Sequence, residues 1–486
     1  MPRKYQLSIR TIFIRKIILV WFCLSATCAW TRVLLRWTLP SVPPAATTGI
    51  GDLVVSWEAS DLIRKAHDQG YRVYAEIQIH NAANMPRNKI RNELAGLILN
   101  PGDSQQSQID NALRELRSAY KELPLLVLDT KAKQPQMKGQ LVIKKDGVLQ
   151  VSSPTAQPWI DSNLALIRLE QAVRPAQTPL YEFKWQSDPS QPQPQAPDTQ
   201  DYLLAVAEAG AFHGDLILDL SQKFQSDLLQ HNQAAWDALN QLKRYLDFFR
   251  RIAGKNLKAE ANIGVIADTH QNSYEPVNLL ARHNIQFAIL EPSDLSPQTF
   301  QKFGILVFFA MPDERNAKAI ADFASKDGTV VLADSHGSYP WHSAPSAPTS
   351  DHAVSYSVGK GRIIELSEPV IDPETFAQDV RRLMEKDKVL ISLWNALTTI
   401  AVPYRVSDGP EKIVELVNYA EDPLQVQVQI KGFFSSIRYE TPERDCCQSL
   451  TSVQRDGFTE FVIPSLRIAG RVYLAGKSNT VSPAGR

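Results

Sequence analysis

Four cysteines in 486 residues leave little scope for metal or disulfide chemistry. Cys23 and Cys28 fall in an N-terminal apolar run, and Cys446 and Cys447 are neighbours. No Cys-x-x-Cys pair or Cys/His cluster has the spacing a zinc ion needs, so no metal site is expected. The adjacent pair reads as two thiols, because neighbouring cysteines bond only with strain. Net charge is also lacking: 52 Lys and Arg balance 52 Asp and Glu. No whole-protein field then favours nucleic acid or an anionic membrane. P-loop, GxGxxG, HExxH and GxSxG motifs are missing from any context that would support them, which argues against nucleotide enzymes, zinc proteases and serine hydrolases. No organic cofactor is implied, and no repeat of solenoid length is visible.

What is present suits a large soluble fold. Apolar residues at 44% and charged residues at 21% are close to the globular average, and the length calls for about three domains. The first segment is of another kind. Arg3, Lys4, Arg10, Arg15 and Lys16 precede the apolar run Ile17–Trp30, and Thr27-Cys28-Ala29 offers small residues for cleavage. That is the pattern of a signal peptide, or of an N-terminal membrane anchor if the run extends through TRVLLRWTLP with Arg32 and Arg36 snorkelling. Residues 1–38 are assigned to it, with a secreted or cell-envelope location expected.

From residue 52 to 253 short apolar runs alternate with amphipathic helices, the signature of parallel β/α architecture. The runs are LVVSW (53–57), YRVYAEIQIH (71–80), LAGLILN (94–100), PLLVLDT (124–130), PLYEFKWQ (179–186) and DLILDL (215–220). QLVIKK and VLQVSS flank Asp146-Gly147, a strong hairpin signal. A long helix spans about 228–252. Six or seven strands are countable where a complete barrel needs eight, so the (β/α) barrel-like domain is incomplete, or a strand hides before Asp52.

A composition change at Gly254-Lys255-Asn256 marks a boundary. Residues 260–390 then read as consecutive βα units with continuously apolar strands, a small doubly wound α/β domain. HAVSYSVGKGRIIEL (352–366) is a hairpin turning at Gly359-Lys360-Gly361. Residues 405–478 carry short alternating strands separated by turn residues, an all-β sandwich.

The order of these pieces resembles bacterial glycoside hydrolases. DYLLAVAEAGAFHGDLILDL looks like the last helix and strand of their barrels, and the GKGRIIEL hairpin is similar to a strand of the β-galactosidase trimerisation domain, which is glutamine-amidotransferase-like. LVNYAEDPLQVQVQIKG looks like the β domain that ends such enzymes. The resemblance implies a carbohydrate substrate or ligand, and a homotrimer on the strength of the middle domain alone. A working amidotransferase needs a nucleophilic cysteine. Residues 260–390 contain none, and Met311-Pro312 follows GILVFFA. The middle domain is therefore structural, with His270 and His336 as loop residues.

Hydrolysis of a glycoside needs two carboxyl groups, and barrel sites lie at the C-terminal strand ends. In YRVYAEIQIH, Tyr74, Glu76, Gln78 and His80 share one face, and Val73, Ala75, Ile77 and Ile79 the other. Placing the second face against helices puts Glu76 inside the barrel, with Gln78 and His80 above it. Asp129, Glu182 and Asp219 are the other strand-end acids taken as catalytic candidates. Lys184 could pair with Glu182, and Trp185 could stack on a sugar ring. Trp159 and Asp161 form a second aromatic–acid pair, although Asp161 and Ser162 also suit a helix N-cap. Glu208, in mid-helix, reads as an ion-pair or packing residue. The reading is a glycoside hydrolase-like protein acting on an extracytoplasmic glycan, or a non-catalytic glycan-binding or scaffold protein on a degenerate barrel.

Overall fold

The computed structural model describes residues 31–84, 91–138, 142–145, 148–151, 159–185, 196–267, 270–333, 337–350, 352–444 and 446–476. The basic and apolar leader, the Asp146-Gly147 turn, most of the Pro/Gln-rich loop and His336 lie outside them. No helix among the described residues is long and apolar enough to cross a membrane.

Seven parallel strands close a barrel: Val33–Arg36, Asp52–Ser56, Arg72–Gln78, Leu94–Asn100, Leu125–Asp129, Leu180–Phe183 and Asp215–Asp219. The seventh pairs with the first, Leu34 opposite Ile217 and Arg36 opposite Asp219. Residues 33–36 are thus a barrel strand, which corrects their reading as an anchor extension. The strand hidden before Asp52 exists, but among the described residues the count stops one short of eight. Pairing is shortest between the first and second strands, at Leu35–Leu53 and Arg36–Val54, and between the fifth and sixth, at Leu128–Leu180 and Asp129–Tyr181, where a cavity of about 810 Å³ opens alongside. Between those strands the chain makes two antiparallel ribbons, 136–138 on 159–161 and 142–145 on 148–151, before helix Leu164–Val173.

Period-two alternation sorts the barrel residues. Leu34, Val54, Tyr74, Ile98, Leu128, Leu180 and Ile217, one from each strand, form the inner cluster. Their neighbours, such as Leu35, Leu53, Val73, Ala75 and Leu218, belong to the outer core under the helices. Helix Thr199–Phe212 is buried from Tyr202 onward, and its Gly210 is needed for close packing: a Cβ there would sit 2.3 Å from the Phe249 ring. The long helix expected over about 228–252 is Gln233–Arg250, and a separate helix, Gln222–Leu229, precedes it. His231 at φ 58° breaks the run, and the Asn232 side chain caps the second helix at Ala234 and Ala235.

In the next sheet Phe287–Leu290, Ile263–Ile266, Ile305–Phe308, Thr329–Leu332 and Gly361–Leu366 lie side by side in parallel. Ala353–Val358 and Ser346–Ser350 extend it antiparallel. Two antiparallel sheets follow, sharing a core that includes Val414, Val428, Phe461 and Val472. They contain Ile391–Trp394 and Thr399–Val406, upstream of the residues read as sandwich, and recruit Leu257–Ala259 as an edge strand on Thr399–Val406. Cys446 and Cys447 are bonded to each other, in place of the two expected thiols.

Candidate active site

Two residues beyond the inner apolar ring, each strand but the fifth contributes a polar side chain: Arg36, Ser56, Glu76, Asn100, Glu182 and Asp219. This layer lies at the C-terminal end of the barrel, where βα loops converge. Arg36 is its centre. Its Nε and Nη2 donate to Glu76 at 3.1 and 2.8 Å, and its Nη1 donates to Glu182 at 2.5 Å. The same Nη1 lies 3.5 Å from Asp219. Asn100 Nδ2 donates to the other Glu76 oxygen at 2.7 Å.

Three carboxyl groups therefore share one guanidinium. Burial opposes the charge on Arg36, but Glu76 and Glu182 overcome it and raise its pKa above the ordinary value. Burial also raises Asp219, and Glu182 and Glu76 add to the rise against the pull of Arg36. Asp219 is the most open of the three acids, 32% exposed against 12% for Glu76 and 15% for Glu182. The layer thus sets two carboxyl groups fixed by Arg36 next to a more accessible one, Asp219, that keeps its proton more readily than an ordinary aspartate.

The other sequence-derived candidates fall in different places. Asp129 ends its strand but has the opposite parity to inward Leu126 and Leu128. It accepts the Lys131 N–H at 2.8 Å outside the barrel. There it faces Glu170, whose pKa burial raises and Asp129 raises further, against Arg174. Gln78 and His80 are exposed beyond Glu76, His80 in the turn Ile79–Asn84. Lys184 is exposed past the sixth strand, and half-buried Trp185 has its ring 6.4 Å from Phe183.

Trp159 and Asp161 do not join the mouth. The indole N–H donates to Asp161 at 2.9 Å, and Arg282 lies over the Trp159 ring. This ribbon packs on helix His270–Arg282, with Tyr274 O–H donating to the Ser162 carbonyl and Asn278 Nδ2 to that of Ile160. The N-cap position of helix Leu164–Val173 is Asn163, not Asp161 or Ser162. The structure brings together Glu76, Glu182 and Asp219, and leaves Asp129 out. Arg36 and Asn100 were missed by sequence reasoning. For Arg36 a signal existed: it stands two residues after Leu34 in a short apolar run.

Glu208 is fully buried at the meeting point of the barrel and the sandwich. It accepts from the Asn163 N–H at 2.9 Å, Asn163 Nδ2 at 2.7 Å and Tyr419 O–H at 2.7 Å. Among the described residues no cation pairs with it, so of the two expected roles, ion pair or packing, it has the buried one, held by hydrogen bonds. Burial lifts its pKa from 4.5 to about 7, while the donors pull it back. A folded pKa above the unfolded one contributes stability that is complete below 4.5 and lost as pH climbs through about 7. Glu208→Gln should remove that slope, which amounts to about 3 kcal/mol. Urea unfolding of both proteins across this range checks it. Absolute stability of the variant should be lower, because its amide N–H₂ faces that of Asn163, so the slope is the readout.

No family model matches the chain, and no curated protein matches it. Its fold is shared with several solved structures. Solved structures of similar shape include α-L-fucosidase isoenzyme 2 from Paenibacillus thiaminolyticus, at 11% identity and a TM-score of 0.56, over 92% of this chain and 99% of that one. Another is a β-galactosidase from Rahnella sp. R3, at 10% identity and a TM-score of 0.55, over 93% and 99%. At such identity the likeness is one of fold.

Proposed function

We propose that this protein is a glycoside hydrolase acting on an extracytoplasmic glycan, with its reaction centre on the Arg36 layer. The observation that carries the reading is the grouping of three carboxyls on one guanidinium at the C-terminal end of the barrel. Glu182 and Asp219 lie 2.5 and 3.5 Å from the same nitrogen. Their oxygens are no further apart than those distances laid end to end, a bound that admits the roughly 5 Å spacing of a retaining pair. Asp219, with its raised pKa and greater exposure, is the acid that protonates the leaving oxygen. Glu182, held in position by Arg36, is the carboxylate that meets the developing positive charge of the sugar. Glu76 keeps Arg36 in place, and Gln78, His80, Lys184 and Trp185 stand near enough to the strand ends to contact the sugar.

A second reading has one observation in its favour. Arg36 occupies an oxygen of both Glu76 and Glu182, and an anion so paired is a weaker nucleophile, as in a barrel that binds glycans without cleaving them. Aryl glycosides of graded leaving group separate the two. Asp219→Asn should lower kcat at least about a hundredfold for poor leaving groups and far less for good ones, since only the former need an acid. Glu182→Gln should abolish turnover for both. Full activity in both variants would overturn the proposal. Glycan binding that Glu182→Gln removes, without turnover of any substrate, would establish the second reading.

A further inference from the structure

A cavity of about 590 Å³ lies between the middle sheet and the sandwich, far from the fold's usual ligand crevice. Asn262, Gly304, Thr329 and Arg362 stand at the N-terminal ends of parallel strands, and Lys431 ends the sandwich strand Leu424–Lys431. Doubly wound sheets take ligands at the opposite, C-terminal edge, so this is not the remnant of an amidotransferase site.

The GKGR hairpin is built into its wall. Gly359 turns at φ 60°, and a Cβ on Gly361 would lie 2.1 Å from the Gly328 carbonyl. Only glycine permits that approach. The close packing lets Lys360 N–H donate to Ser325 and Arg362 N–H to Gly328, at 3.1 and 3.2 Å. Lys360 and Arg362 are thereby held at the cavity on a pinned turn.

The charge of the lining is one-sided. Lys302, Lys360, Arg362 and Lys431 are exposed, line the cavity and make no ion pair among the described residues. A fifth cation, Lys388, is balanced by Glu385 at 3.2 Å, and Asp327 is the other acid among the described lining residues. In a chain with equal numbers of acidic and basic residues this excess is a local arrangement and not a consequence of composition. Among the described residues the lining contains no aromatic side chain on which a nucleobase would stack.

We infer that this cavity binds an acidic glycan chain through carboxylate or sulfate groups on its sugars. The inference rests on the glycan-directed reading above and adds the class of glycan: the polymer is anchored here, away from the barrel mouth. Lysines on flexible stems suit charges spaced along a chain, and contact with both the middle sheet and the sandwich strand would fix the polymer across two domains.

Calorimetry on the full chain tests it, with a hexagalacturonate and a heparin-derived hexasaccharide as the carboxylate and sulfate probes. Maltohexaose is the neutral control and a thymidine oligonucleotide the alternative polyanion. At least one acidic hexasaccharide should bind tightly at low salt and much more weakly at high salt, with maltohexaose showing no such change. Lys360→Glu/Arg362→Glu should weaken it about tenfold or more. Lys302→Glu/Lys431→Glu, on separate elements, should do the same if the hairpin variant is unstable. Neither pair should alter hydrolysis of small aryl glycosides, whereas Asp219→Asn should leave acidic-glycan binding intact, so the two proposals fail separately. Acidic hexasaccharides binding no better than maltohexaose, affinity unchanged in both pairs, or tighter binding of the oligonucleotide would each overturn the inference.

Discussion

Replacing Arg36 with leucine is expected to lower the unfolding free energy by about 4 kcal/mol at neutral pH, and by progressively less as the solution is made acidic. The guanidinium is the shared partner of Glu76, Glu182 and Asp219, and its side chain is only 14% exposed. Without it, three carboxylates face one another in a barrel layer with only Asn100 donating to one of them. Like charges at this range raise one another's pKa, and burial adds to the rise already present at Asp219. In the variant the folded pKa values exceed the unfolded ones. Stability is then greatest below the ordinary carboxylate range and falls as pH rises through the folded values. Urea unfolding of both proteins from acid to neutral pH measures the gap. Restoring neutrality by adding Glu76→Gln and Glu182→Gln to the variant should recover much of the loss at neutral pH. An equal deficit at every pH would mean that Arg36 acts through the packing of its aliphatic stem, and its role as counter-ion would be wrong.

The ease with which these residues could be read varied with how much local pattern each carried. YRVYAEIQIH alternates cleanly, so its two faces separate without any tertiary information, Tyr74 into the inner cluster and Val73, Ala75 and Ile77 into the outer core. PLLVLDT does not alternate. Four successive apolar residues are compatible with burial on both faces, so the strand end at Asp129 is visible in sequence but its outward direction is not. Arg36 was obscured by context: its four-residue strand follows a basic and apolar leader whose composition it shares. Asp161 was misplaced because a capping preference competes with another short-range bond, here from the Trp159 indole two residues away. The strand Leu257–Ala259 is three residues long, has no periodicity to detect, and pairs with Tyr404 and its neighbours from far along the chain.

Arg471→Leu should be among the most destabilising single substitutions, at about 3–5 kcal/mol, and its cost should be largely cancelled by a second change at Glu415. Glu415 and Arg471 stand directly opposite on adjacent antiparallel strands, so their side chains share one face of the sheet. Arg471 Nε donates to Glu415 at 2.6 Å, and both side chains are fully buried. Nη1 donates to the Phe248 carbonyl at 3.0 Å, lies 3.7 Å from Glu440, and the guanidinium sits 4.2 Å from the centre of the Phe248 ring. The cation thus fastens the sandwich to the last barrel helix through a carbonyl and an aromatic face. Burial disfavours its charge, but Glu415 restores it and raises the arginine pKa above the ordinary value. Removing Arg471 alone strands the Glu415 carboxylate without a partner in the core, while Glu440 retains Arg251 at 2.6 Å. Arg471→Leu/Glu415→Leu removes the stranded charge together with its partner and fills the space with apolar atoms, a replacement that is often neutral or better. A double-mutant cycle in urea should therefore give a strong coupling between the two sites. Costs that simply add would show that Arg471 is held by Phe248 and its carbonyl, with Glu415 only a bystander.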